Sequence, residues 1–436
     1  MQELTISLST VNLDVLKQQV LEWAHQQSEV LCYLDSNQYQ EDKYSRYEAL
    51  LGVGVERELK LDVATDAFEE LKTFAAQEKE WLLGHLNYDL KNTVEALESQ
   101  NEDELAFPEL YFFVPTYLFL WLKDGNLKIL SKKESPQEIW LAIQQADLSL
   151  SESVVQASIQ AKFSKGKYLK TVEQIRQHII DGDVYEMNFC QEFFAKEVAL
   201  EPLPLFHRMN AIAKAPFTAY YKRKEHHLLC GSPERFMCKQ GTTIISQPIK
   251  GTIKRGADAK EDKELKTILK NSIKDQAENV MIVDLVRNDL TKTCQTGTIK
   301  VEELFEIYGF ERVFQMISTV VGEMQPQRHW VDVIREAFPM GSMTGAPKVM
   351  SMQLIEQYEQ SKRGLYSGTV GYVSPEGDFD FNVVIRSLLY NSAKQYLSFQ
   401  VGGAIVYDSN PLSEYEECLL KAQTMLEALG IAAPTH

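Results

Sequence analysis

The sequence predicts an α+β protein whose sheets are largely antiparallel. Strand-like runs come as neighbours joined by turn residues. In SGTVGYVSPEGDFDFNVVIRSLLY, two β-rich runs flank Pro375-Glu376-Gly377-Asp378. Helical runs come in blocks rather than between successive strands, which argues against a βαβ repeat. A composition of 44% hydrophobic and 25% charged residues over 436 positions supplies a sizeable core and allows two or three domains.

Taken in order, the early part of the chain alternates aromatic and apolar segments with acidic helical patches such as AFEELKTFAAQEKEWLLGHL. The run LYFFVPTYLFLWL, residues 110–122, is too short to span a bilayer and is interrupted by Pro115, so a buried strand pair is expected. A polar, Ser-rich seam at 145–166 suggests a boundary, giving an N-terminal domain 1–155 and a second domain 156–436. After it, KYLKTVEQIRQHIIDGD places Leu169, Val172, Ile175 and Ile179 at helical spacing, with Gly182 as the stop. Pro248, Gly251 and Thr252 in SQPIKGTIKRG mark a strand end running into a tight loop. Lys260–Leu290 reads as helix over much of its length, QYLSFQVGGAIVYDS as a strand broken by Gly402-Gly403, and LSEYEECLLKAQTMLEAL as helix.

The net charge of −17 argues against a nucleic-acid backbone or an anionic membrane surface as partner. It leaves room for a small anionic substrate in a locally positive site. MQELTISLST has neither a basic nor an apolar signal region, and the six cysteines show no CxxC or metal-ligand spacing. Reduced thiols in a cytoplasmic protein are expected.

Several residues carry chemistry. Lys250, between Ile249 and Gly251, reads either as a solvated surface lysine or as a nucleophilic or anion-binding amine. Asp275 and Glu278, and likewise Glu414 and Glu417, stand three apart on expected helices, so each pair shares a face. Two such faces brought together would offer oxygens to Mg²⁺; apart, they are solvated acidic surface. The stretches FPMGSMTGAPK and QVGGAIVYDS offer backbone N–H groups, yet match neither a Walker loop nor a dinucleotide fingerprint. Arg386, with apolar neighbours in an expected strand, calls for an anionic partner, either a ligand carboxylate or a structural one. Tyr372 is either core or a hydroxyl donor to the same ligand. Glu234 is either a general acid or base, or the partner of Arg235.

These pieces occur together as GSPERF, PIKGT, AENVMIVDLVRNDL, GSMTGAPK, GTVGYV, VIRSLL, GGAIVYDS and SEYEECLLKA. In that order they resemble the chorismate-utilising enzymes, over about residues 160–430, and among them component I of the aminodeoxychorismate synthases. The resemblance implies two antiparallel sheets packed as a sandwich and flanked by helices. It implies Mg²⁺ on the ring carboxylate of chorismate, held by Glu278 and Glu417 with Asp275 and Glu414 behind them. Arg386 and Tyr372 look like contacts of the enolpyruvyl carboxylate; Thr344, Gly402 and Gly403 look like the substrate lining, with Lys421 near the metal. Glu234 corresponds to the acid for loss of the 4-hydroxyl.

The middle of the PIxGT motif is usually alanine in anthranilate synthases and lysine in aminodeoxychorismate synthases, so Lys250 is the expected nucleophile. Gln315 stands where anthranilate synthases carry a histidine linked to pyruvate elimination. Glu186 stands where isochorismate and salicylate synthases have a water-activating lysine. Ala404 departs from the third glycine of the family's GGG run. No nucleophile-elbow cysteine is evident, so ammonia is expected from a glutamine amidotransferase subunit. Anthranilate synthase component I is the close alternative, and a non-catalytic binding protein on the same fold the remote one.

Overall fold

Runs such as Leu110–Val114 and His226–Ser232 are buried along their whole length, as strands covered on both faces must be. The computed structural model describes residues 1–9, 11–145, 155 and 157–431; residues 146–154 and 156 of the Ser-rich seam lie outside them. Two sheets result, of twelve and ten strands among the described residues. The larger runs from one edge as Gln2–Ser7, Asn126–Ser131, Tyr117–Leu122, Tyr47–Val53, Val30–Asp35 and Phe217–Arg223. It continues as His226–Ser232, Ser387–Asn391, Tyr396–Ile405, Glu186–Ala195 and Gly345–Ala346, with Gln160–Ala161 beside Glu186–Ala195.

The smaller sheet runs Ile249–Lys254, Val313–Glu323, Thr243–Ser246, Arg235–Gln240 and Phe379–Asn382. Thr369–Val373, Leu82–Leu86, Leu110–Val114 and Arg57–Leu61 complete it, and Lys300–Gly309 pairs beside Val313–Glu323. Every pairing between these strands is antiparallel. Both sheets take strands from either side of residue 155.

Side-chain alternation explains the layers. Cys32, Cys190 and Leu389 of the larger sheet join Leu83, Phe112 and Phe381 of the smaller sheet in one apolar cluster. Their chain neighbours Tyr33, Phe189 and Leu388 point to the opposite face and form a second cluster. There they meet Val20, Val172, Phe206 and Met425 of the helices Leu13–Gln27, Lys165–Asp181, Pro202–Ala213 and Pro411–Leu429. Ile282 and Val286 of helix Ile273–Thr291 pack into the first cluster. Gly182 closes helix Lys165–Asp181 at φ +87°, the left-handed stop expected of a glycine there.

The chain passes repeatedly from one sheet to the other, and two of the short crossovers correct the sequence reading. Leu110–Val114 belongs to the smaller sheet and Tyr117–Leu122 to the larger, so the apolar run is two strands that do not pair; the turn at Pro115 separates the sheets. Residues 233–234 link His226–Ser232 to Arg235–Gln240. Residues 383–386 link Phe379–Asn382 to Ser387–Asn391. Arg386 therefore sits in a crossover, not inside a strand, and takes φ +53°.

Other boundaries also move. The expected hairpin forms between Thr369–Val373 and Phe379–Asn382. The long helix splits at Asn271-Ser272 into Ala259–Lys270 and Ile273–Thr291, because Ser272 caps the second by accepting from the Asp275 N–H. The strand Tyr396–Ile405 runs unbroken through Gly402-Gly403, which pair with Cys190 and Phe189. Glycine is admitted at 402 because a Cβ there would stand 2.1 Å from the Phe189 carbonyl oxygen. AFEELKTFAAQEKEWLLGHL is helix only over Ala67–Gln77, and its end becomes the strand Leu82–Leu86.

Candidate active site

The crossovers, the strand Ile249–Lys254 and two helix starts supply the candidate site. Pairing of Ile249–Lys254 with Val313–Glu323 shifts register between Ile249 and Thr252. Lys250 and Gly251 occupy that irregularity, with Gly251 at φ +87°. A side chain at 251 would strike Asp275, whose Cβ and Oδ1 lie 2.9 Å from the position a Cβ would take. Lys250 is only 9% exposed and is ion-paired to the fully buried Glu186. It is thus no solvated surface lysine. Burial disfavours its ammonium, but the charges of Glu186, Glu278 and Glu234 outweigh that and hold it above its ordinary value.

Glu234 lies in the 233–234 crossover, buried, with its N–H donating to the Ser232 hydroxyl at 3.1 Å. Burial pushes its carboxyl up to about 7, against a bond from Ser342 and the charges of Lys250 and Arg386. It does not pair with Arg235. That guanidinium is committed to Asp42 and Asp380, at 2.7 and 2.8 Å, and to Gln247. A carboxyl that titrates near neutrality, within electrostatic reach of a lysine and an arginine, is equipped to exchange a proton with a ligand.

The two carboxylate pairs approach the same region. Burial, aided by Glu186 and Asp275, pushes Glu278 up to about 7, while Lys250 and Lys274 pull it down. Glu414 accepts from the Ser409 hydroxyl at 2.7 Å, and burial together with Glu417 raises its carboxyl. Glu417 pairs with Lys421 at 2.7 Å, which holds it below the usual range. Lys274, one turn before Glu278, lies within electrostatic reach of Glu278, Glu414 and Glu417 alike, which ties the two helix starts to one locus. The donor set is all oxygen, and burial raises two of its carboxyls, Glu278 and Glu414; oxygen donors of this kind suit a hard divalent cation such as Mg²⁺. Among the described residues, no three acidic side chains close around a common point as metal ligands.

The Pro411–Leu429 helix and the strand Tyr396–Ile405 form one wall. Lys421 donates to the Gly402 carbonyl at 2.9 Å, and Arg386 donates to the Lys421 carbonyl at 3.4 Å. A Cβ at Gly403 would stand 3.4 Å from Glu414 Oε2 and 3.5 Å from Lys421 Nζ. Thr344 is fully buried; its hydroxyl donates to the Met340 and Gly341 carbonyls, and its own carbonyl accepts from the Asn188 N–H. Ala404 pairs with Asn188 and Gln315 with Thr252.

Tyr372 is not part of this group. It lies on Thr369–Val373 against Tyr47 and Trp81, with ring centroids 5.7 and 5.9 Å away, and lines a separate cavity with Asp35, Ser36 and Phe217. The tyrosine beside Arg386 is Tyr366, buried, with its hydroxyl 3.4 Å from Cys190 Sγ. Tyr366 precedes Ser367, at φ +59°, in the loop that leads into the strand. The loop RGLYSG was the available signal, since functional side chains concentrate on loops at strand ends.

The sequence profile of the chorismate binding enzymes matches residues 29–427. The chain belongs to the chorismate-binding enzyme family. It is 32% identical over 364 residues to aminodeoxychorismate synthase component 1 of Bacillus subtilis, covering 80% of this chain and 77% of that one. It is also 32% identical over 358 residues to anthranilate synthase component 1 of Saccharolobus solfataricus, covering 80% of each. The crystal structure of anthranilate synthase component I from Streptococcus pneumoniae superposes with a TM-score of 0.77 at 24% identity, over 89% of this chain and 93% of that chain. The two-sheet α+β architecture is accordingly that of the chorismate-utilising enzymes. Among the described residues, no helix of this family member is long and apolar enough to cross a membrane.

Proposed function

We propose that the protein is component I of an aminodeoxychorismate synthase, a cytoplasmic enzyme. It replaces the 4-hydroxyl of chorismate with ammonia to give 4-amino-4-deoxychorismate for 4-aminobenzoate and folate synthesis. The observation that carries this reading is Lys250, an amine kept out of bulk water among Glu186, Glu234 and Glu278. Several relatives at 32–34% identity bear the same name, the Escherichia coli one at 33% among them. Their designation as component 1 supports a partner subunit, and we take it to be a glutamine amidotransferase that delivers ammonia.

The residues present suggest a division of labour. Lys250, once its ammonium has released a proton to solvent, forms a bond to C2 of chorismate as the free amine; the ring double bonds shift and the C4–O bond breaks. Glu234 gives its proton to the departing hydroxyl, so water leaves. Ammonia then forms the C4–N bond, its surplus proton returns to Glu234, and the lysine departs as the double bonds shift back. Arg386 suits the enolpyruvyl carboxylate, with Tyr366 in place of Tyr372 as its hydroxyl neighbour. Thr344, Gly402, Gly403 and Lys421 form the lining. Glu278 and Glu417 would hold Mg²⁺, with Asp275 and Glu414 behind them. When bound, the ion neutralises and anchors the ring carboxylate.

The test is product identification by mass with chorismate, Mg²⁺ and ammonium, on the wild type and on Lys250→Ala. Aminodeoxychorismate from the wild type and its strong reduction in the variant support the reading. Anthranilate with pyruvate from the wild type would sink it and leave Lys250 a bystander.

A further inference from the structure

We propose that Glu186 is the positioning residue of Lys250, fixing its Nζ at one point of the cleft; this rests on the aminodeoxychorismate reading of that lysine. Glu186 opens the strand Glu186–Ala195 and is held from several sides. Its backbone pairs with Ala346, its neighbour Met187 pairs with Ile405, and its carbonyl accepts from the Ser351 hydroxyl at 3.3 Å. The side chain is fully buried. One carboxylate oxygen accepts from Lys250 Nζ, and the other is buried with no hydrogen-bond partner. A buried carboxylate ordinarily gathers donors for both oxygens. This one is committed to the lysine alone.

Lys250 needs such an anchor. Its four-carbon stem has many rotamers, and its backbone lies where the strand pairing slips beside Gly251. Three carboxylates surround it from three elements: Glu186 on its strand, Glu278 on helix Ile273–Thr291 and Glu234 in the crossover. Among the described residues only Glu186 is close enough for an ion pair with it. A nucleophile acting from a fixed point gains rate through orientation, and a shift of about 1 Å can cost on the order of a hundredfold.

The experiment uses the full chain with saturating Mg²⁺ and ammonium, comparing wild type, Glu186→Ala and Glu186→Gln. Glu186→Ala is expected to lower kcat for aminodeoxychorismate about tenfold to a hundredfold while KM for chorismate stays within about twofold. Glu186→Gln, which keeps an acceptor oxygen for Nζ, recovers much of that loss. An unchanged kcat in Glu186→Ala overturns the proposal. So does a joint loss of kcat and chorismate affinity with a lowered melting temperature, which would make the residue structural.

A second measurement needs no turnover. Acylation of Lys250 by a small N-hydroxysuccinimide ester, read by peptide mass spectrometry, is expected to rise several-fold in Glu186→Ala as the amine loses its partner. Equal labelling in both proteins overturns the anchor. If the wild type makes no aminodeoxychorismate, the reading of the reaction fails, while the labelling still decides whether Glu186 holds the lysine.

Discussion

Glu234 and Arg386 stand on adjoining crossovers that are hydrogen-bonded to each other. The Val383 N–H donates to the Glu234 carbonyl at 3.0 Å, and the Gly231 N–H donates to the Arg386 carbonyl at 3.1 Å. An acid and a cation are thereby fixed relative to one another by backbone, not by flexible side-chain contacts. The arrangement has a cost, because Arg386 takes φ +53°, where L-residues lose about 1–2 kcal/mol.

Arg386→Gly and Arg386→Ala should therefore separate binding from backbone strain. Both should raise KM for chorismate roughly tenfold or more, the value of a hydrogen bond to a charged group. Only Arg386→Gly relieves the left-handed conformation, so its melting temperature should exceed that of Arg386→Ala. Equal melting temperatures would count against strain at this position.

The pH profile should carry the imprint of Glu234. Its carboxyl is raised to about 7, so it is protonated below that pH and loses its proton above it. If it is the acid for departure of the 4-hydroxyl, kcat should fall as pH rises through about 7. Glu234→Gln should be slow at every pH and lack that limb. A variant whose profile keeps the limb would assign it to another group.

Glu278 predicts an opposite trend for the metal. Its carboxyl is raised to about 7 and must lose its proton to ligate a cation. The Mg²⁺ concentration needed for half-maximal activity should climb as pH falls below neutrality. Magnesium titrations at two pH values check this, and a pH-independent requirement would argue against Glu278 as a ligand.

The paired glycines should differ sharply. Gly402→Ala puts a Cβ 2.1 Å from the Phe189 carbonyl oxygen, so the sheet must move. A loss of roughly 1–3 kcal/mol, the usual range for overpacking, is expected in thermal unfolding. At Gly403 the nearest atoms are 3.4 Å away, at the Glu414 carboxylate, so Gly403→Ala should fold normally and weaken chorismate binding.

Arg235 tests a purely structural network. It is buried between Asp42 and Asp380, so Arg235→Ala leaves two uncompensated acids inside the protein. A loss of about 3–5 kcal/mol is expected in denaturant unfolding. Little change there would mean that water reaches the site.

Much of this was legible in the sequence because the relevant signals are local. The helix before Gly182, the hairpin across 374–378 and the carboxylate pairs three apart on their helices all depend on short-range spacing. What escaped were the points where a short apolar run changes sheets. VIRSLL reads as one strand because Val384, Ile385, Leu388 and Leu389 are apolar, yet the chain leaves one sheet before Arg386 and enters the other after it. Burial on both sides gives such a crossover the same composition as a strand. Tyr372 belongs to a strand that the pattern makes visible, whereas the approach of Tyr366 to Arg386 depends on how a loop folds back and has no counterpart in local spacing.

The interleaving of the two sheets bears on how the chain reaches its native state and on what can be cut from it. Phe217–Arg223 takes its neighbour from Val30–Asp35, and Thr369–Val373 from Leu82–Leu86. Partners separated by well over a hundred residues must meet before either sheet closes, which makes for slow assembly. A fragment starting at residue 156 would carry two bare sheet edges into solution, the usual template for self-association. The front third of this protein is therefore not a module that can be cut away or exchanged without baring both sheets.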